Sequence, residues 1–74
     1  MKYYTILIVN FNDGTQDKVG IYTRPSEDAA LKTLYDYMGD YTDGDNVTSA
    51  FAIAVNNIGG IYKQESWVRR NAEQ

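Results

Sequence analysis

Four closely spaced aspartates are the residues most able to do chemistry in this chain. Asp36, Asp40, Asp43 and Asp45 fall within the stretch DYMGDYTDGD. Calcium and magnesium take several carboxylate oxygens at once, which makes Asp40, Asp43 and Asp45 candidate metal ligands. Their spacing does not fit an EF-hand loop. Placing Gly44 at loop position six puts Gly39 at position one, Tyr41 at three and Ala50 at twelve, where carboxylate or carbonyl ligands are needed. The plainer reading is a solvated acidic patch. Such a patch could dock on a basic partner or imitate the phosphates of a nucleic acid.

Other catalytic chemistries are poorly supplied. The chain has no histidine and no cysteine, so Ser-His and Cys-His pairs are absent. Ser26 is explained as a helix cap, and Ser49 and Ser66 as strand residues. Carboxylates that share acid and base work need a cleft with distinct environments, which a 74-residue chain seldom offers. Gly59-Gly60 stands between two strand-like stretches. Phosphate-cradling glycines instead open a helix after a strand. These features point away from an enzyme and imply no cofactor.

Aromatic residues are plentiful: seven tyrosines and Trp67, more than a small core needs. Tyrosine is amphipathic and loses little rotamer freedom on binding, which suits interfaces. Singly, Tyr4, Tyr22, Tyr35 and Tyr62 could cover the rim of a thin core with their hydroxyls in water. As a set, the aromatics predict an interfacial cluster.

The elements that must position these residues are legible as patterns. Residues 2–11, KYYTILIVNF, read as a strand rich in aromatic and β-branched residues. Tyr3, Leu7, Val9 and Phe11 line one face and Tyr4, Ile6 and Ile8 the other, so this strand reads as buried on both. Asn12-Asp13-Gly14 is a hairpin signal. Residues 16–23 return as a second strand with Val19, Ile21 and Thr23 on one side, and Gly20 suggests a bulge.

Arg24-Pro25 ends that strand. The stretch Pro25–Asp45 then reads as an amphipathic helix and its acidic exit. Ser26 is the expected N-cap, followed by Glu27 and Asp28, where the helix dipole favours negative charge. Ala30, Leu31, Leu34, Tyr37, Met38 and Tyr41 recur at helical spacing and predict the buried stripe. Asp28, Lys32 and Asp36 predict an i,i+4 ladder on the opposite side. Gly39 is the expected stop, with fraying possible to Tyr41.

Residues 47–56, VTSAFAIAVN, predict a third strand. Phe51, Ile53 and Val55 are expected to face the helix, leaving Ala50, Ala52 and Ala54 as a flat surface open to close approach. Residues 57–60 predict a second hairpin turn, and residues 61–68 a fourth strand near an edge. Lys63 and Glu65 would protect such an edge. Residues 68–74 read as a frayed tail. The order ββαββ predicts an α+β domain over residues 1–74, with a four-stranded, mainly antiparallel sheet and one helix on one face.

Charge is uneven along the chain. Residues 26–46 set Glu27, Asp28, Asp36, Asp40, Asp43 and Asp45 against Lys32, a net −5, whereas each flank carries a net +1, for an overall −3. Nucleic-acid binders present a basic face, and the Arg69-Arg70 pair is too short to make one. No run is long and apolar enough for a membrane span, and no basic segment precedes an apolar one as in a secretory leader. Together with the lack of cysteine, this predicts a soluble, cytoplasmic protein.

One helix covers only one face of four strands. Some apolar or aromatic sheet surface should therefore stay open, and such patches usually mark partner sites. The expected interface residues are Tyr3, Tyr4, Ile6, Ile8, Tyr22, Ala50, Ala52, Ala54, Tyr62 and Trp67. A single core of this size seldom supplies more than about 3–5 kcal/mol, and with cysteine and histidine absent a partner chain is the remaining aid. The leading expectation is a non-enzymatic protein-interaction module that forms a homodimer through its sheet or binds a heterologous protein.

Lys2-Tyr3-Tyr4, Glu27-Asp28-Ala29, Tyr37-Met38, Val55 to Gly60 and Tyr62 to Trp67 carry a loose resemblance over most of the chain. The pattern resembles a group of short proteins encoded by Gram-positive gut bacteria and their prophages. The resemblance implies a phage or mobile-element context and nothing catalytic. Phages encode small acidic inhibitors of host defences, such as anti-CRISPR proteins. An inhibitor whose acidic helix exit blocks a basic host surface is accordingly the second expectation. This one rests on size and charge alone. A divalent-cation or small-ligand binder is the third.

Overall fold

In the computed structural model, which describes residues 1–12, 17–44 and 46–69, strand- and helix-forming stretches alternate as the patterns predict. Strand β1 spans Tyr3–Phe11 and β2 spans Lys18–Arg24. Helix α1 spans Glu27–Thr42. Strands β3 and β4 span Val47–Asn56 and Ile61–Val68. The strands form one antiparallel sheet in the order β2-β1-β3-β4, and α1 packs on one face, mainly against β3 and β1. The fold is α+β with ββαββ order.

Pairing β1 with β3 makes the two most apolar strands central. Thr5, Leu7 and Val9 point toward the helix and are fully buried. Opposite them on β3 stand Ala54, Ala52 and Ala50, which are also buried. With Ala30, Leu34 and Val47 they make the core. Leu31, Tyr37, Met38 and Tyr41 pack around it, which completes the expected helical stripe. Thr33, outside that stripe, is buried as well.

This arrangement corrects the expected orientation of β3. The alanine row faces the helix, whereas Phe51, Ile53 and Val55 pair with Ile8, Ile6 and Tyr4 on the far face. The physical reason is space. Leu7, Val9 and the helix's own Leu34 already fill the gap between the layers, and alanine lets the helix approach the sheet. The Thr5 hydroxyl then reaches the helix backbone and donates to Ala30 O at 2.7 Å.

The helix starts as predicted: Ser26 Oγ accepts from Ala29 N at 3.1 Å. Its end differs from the expectation. Gly39 is inside the helix, not its stop. Tyr41 still has core to cover, and the Thr42 hydroxyl donates back to Met38 O at 2.7 Å, so the turn after Gly39 continues. Of the predicted charge ladder, Lys32 pairs with Asp36 at 2.8 Å. Among the described residues no ion pair joins Asp28 to Lys32.

The β3–β4 hairpin is closed by a side chain. Asn56 Oδ1 accepts from Ile58 N and Gly60 N at 3.0 and 2.8 Å. Two glycines there have different causes. Gly59 takes φ +92°, a region open mainly to glycine. At Gly60, a Cβ would come within 2.5 Å of the Asn56 amide nitrogen.

Gly20 makes no bulge, because β1 and β2 pair in continuous register. The Tyr22 ring lies over it, within 2.6–2.8 Å of where a Cβ would stand. The register shifts occur instead at Asn10/Phe11 and Ala54/Val55. Arg69, expected in a frayed tail, is pinned. Its backbone N donates to Thr48 O at 2.9 Å, and its guanidinium donates to Val47 O and Gly44 O. The turn predicted at Asn12-Asp13-Gly14 and the tail beyond Arg69 lie outside the described residues, apart from Asn12.

Candidate functional site

The face of the sheet turned away from α1 is the surface with the strongest chemical character. No described element packs on it. β1 contributes Tyr4, Ile6 and Ile8, against which β2 sets Thr23, Ile21 and Val19 and β3 sets Val55, Ile53 and Phe51. In β4, Gln64 and Ser66 stand opposite Ile53 and Phe51, and Ile61 opposite Val55. Three adjacent strands are therefore apolar across their middle rows, and the fourth turns polar there.

Exposure follows position in the sheet. Ile6, Ile8, Phe51 and Ile53 are half-buried only by their neighbours on the same face. At the β2 edge, Val19 and Ile21 are 64% and 66% exposed. Single exposed apolar residues are ordinary on protein surfaces, but a contiguous patch of this kind is not.

One end of this face is polar. Asn10 lies between Asp17 and Ser49. In the amide orientation that satisfies both neighbours, Asn10 donates to the Asp17 carboxylate at 2.9 Å and accepts from Ser49 Oγ at 2.8 Å.

The structure divides the predicted interface residues in two. Tyr4, Ile6 and Ile8 are on the open face. Ala50, Ala52 and Ala54 are buried under the helix, which removes them as a docking surface. Tyr3, Tyr22, Tyr62 and Trp67 pack against the rim of the core on the helix side. There Tyr3 meets Tyr62 with ring centroids 6.0 Å apart, and Tyr22 stacks on Tyr37 at 4.7 Å. The Arg69 guanidinium lies 5.0 Å from the Trp67 ring centroid. These four aromatics thus lie around the helix, whereas Tyr4 and Phe51 stand on the open face.

Sequence reasoning missed Val19, Ile21, Phe51, Ile53 and Val55 as open-face residues. Strand alternation had grouped them correctly. Only the register against β1 says which group faces water.

The acidic residues take the opposite side of the molecule. Asp36, Asp40 and Asp43 are exposed, as are Glu27 and Asp28. Asp45 lies outside the described residues. Among the described residues, no three carboxylate, histidine or cysteine side chains converge as a metal site would require. Ion pairing with Asp36 raises the Lys32 pKa above its ordinary value, so that lysine is already engaged. No helix of the structure is long and apolar enough to cross a membrane. The chain was compared with protein-family models, with curated proteins and with solved structures, and it matches none of them.

Proposed function

We propose that this protein is a small non-enzymatic interaction module that associates with itself through its open sheet face. One observation carries the reading: apolar rows run without interruption across β2, β1 and β3 on a face that no described element covers. Leaving that surface in water forgoes roughly 25 cal/mol for each Å² that a partner would bury. A small single core gains from such a partner.

The test is sedimentation of the whole chain over a wide concentration range. The wild type is expected to dimerise as concentration rises. Ile6→Lys, which places a charge in the middle of the face, is expected to stay monomeric with unchanged circular dichroism. A wild-type chain that stays strictly monomeric at high concentration overturns self-association.

A second reading is favoured by a separate observation. The outer surface of α1 exposes Glu27, Asp28, Asp36 and Asp40, with Asp43 at its exit. Such a surface suits a phage-type inhibitor that covers a basic site on a host protein. The two readings use opposite sides of the molecule and differ in salt dependence. An electrostatic contact weakens steeply as salt rises, whereas an apolar one does not. Affinity capture from host extract at low and high salt separates them.

A further inference from the structure

We infer that the partner on the open face is a second copy stacked face to face, with the two-fold axis running along β1, so that Ile6 and Ile8 of one copy meet Ile6 and Ile8 of the other. This inference rests on the self-association proposed above and adds its geometry.

The distribution of polar side chains across the four strands selects the axis. A two-fold that stacks identical faces must lie in the plane between them. If it ran across the strands, β4 would lie over β4 of the second copy. Gln64 and Ser66 occupy the two central rows of β4, opposite Ile53 and Phe51, and would be buried against β4 of the second copy. Burying amides and hydroxyls without assured partners is costly.

An axis along β1 avoids that cost. It lays β2 of each copy over β3 of the other and leaves both β4 strands at the rim. Val19 and Ile21, the most exposed residues of the apolar rows on β2, then cover Phe51 and Ile53 of the second copy. All three apolar strands find apolar partners, and Gln64 and Ser66 keep their water.

The area is sufficient for a specific but modest dimer. Three strands about 4.8 Å apart and about seven residues long cover roughly 350 Å² in plan. With the relief of the side chains, the pair buries roughly 1,000–1,200 Å², the low end of specific interfaces. Aligned sheets of this kind pack about 10 Å apart and cross at about −30°, which sets the axis about 15° from the β1 direction, midway between the two β1 strands. The charge distribution does not oppose the arrangement. In the central rows of β2, β1 and β3 the open-face side chains are all uncharged. Asp17, at the polar end, is carried by the axis to the β3 side of the second copy, away from the other Asp17.

The chain has no cysteine, so single-cysteine variants report positions cleanly. Ile6→Cys, Ile21→Cys and Gln64→Cys are treated with a short bismaleimide matched to the about 10 Å between stacked sheets, and sedimentation is run on each variant. Ile6→Cys is expected to give a cross-linked dimer. Gln64→Cys is expected to react at least about tenfold less, because its counterpart is displaced sideways by about four strand spacings, roughly 19 Å.

A dimer that cross-links best through Gln64→Cys overturns the axis along β1 and places it across the strands or at the β4 edge. One that cross-links best through Ile21→Cys overturns face stacking in favour of pairing at the β2 edge. Either result leaves self-association standing. A wild-type monomer by sedimentation removes both the stacking and the self-association beneath it.

Discussion

Tyr22 shows how one residue explains two others. Its ring lies over Gly20 and stacks on Tyr37, and the Arg24 guanidinium sits 5.5 Å from its centroid. Gly20 reads in the sequence as a weak point of the strand, but its cause is the ring two residues further on. Burial pushes the Tyr22 phenol above its ordinary pKa of 10.0, and the charge and hydrogen bond of Tyr37 add to this while Lys18 opposes it. The folded state therefore holds the proton after the unfolded chain has lost it. The resulting stability is fully present below pH 10.0 and is lost as pH rises from there through the folded pKa. Tyrosinate absorbance is expected to show a late-titrating component in the wild type that Tyr22→Phe diminishes. The Tyr22→Phe variant should also lose less stability in alkali. Equal alkaline midpoints for the two would remove Tyr22 as the cause.

At the scale of elements, α1 and β3 set the spacing of the two layers. The helix was legible almost entirely, because Ser26, Glu27 and the apolar stripe are local signals. Its exit was not, since the residues that prolong it past Gly39 do so through Tyr41 and core contact. In β3 the alternation of large and small residues was equally plain, yet its facing was misread. Bulk suggests core, and here the core is lined with alanine because helix side chains supply the volume. Ala52→Leu is accordingly expected to destabilise the fold by about 1–3 kcal/mol through overpacking, seen as a lower thermal midpoint. No fall in that midpoint would mean that the helix is not seated on the alanine row.

At the scale of the whole molecule, the two sides are chemically opposite: acid on the outer helix, aliphatic and aromatic side chains on the open sheet. The self-association proposed for the sheet would couple folding to concentration. Each tenfold rise in protein above the dimer dissociation constant is expected to raise the thermal midpoint by about 3–6 °C for a chain of this size. The rise should vanish in Ile6→Lys. A midpoint independent of concentration in the wild type would argue that the open face stays empty.

The sequence by itself determined the elements, their order, the helix cap and the exclusion of histidine and thiol chemistry, since these depend on local pattern or on residue type. It also determined that some apolar face must remain open, because one helix cannot cover both sides of a sheet containing β1. Which residues form that face was decided by tertiary structure. Alternation splits a strand into two rows, and only the pairing of β1 with β3, across 35 intervening residues that include α1, turns one row to the helix and the other to water. That pairing is a long-range choice governed by how closely the helix can approach. It exchanged the expected alanine surface for Phe51, Ile53 and Val55, and drew Trp67 and most of the tyrosines around the helix.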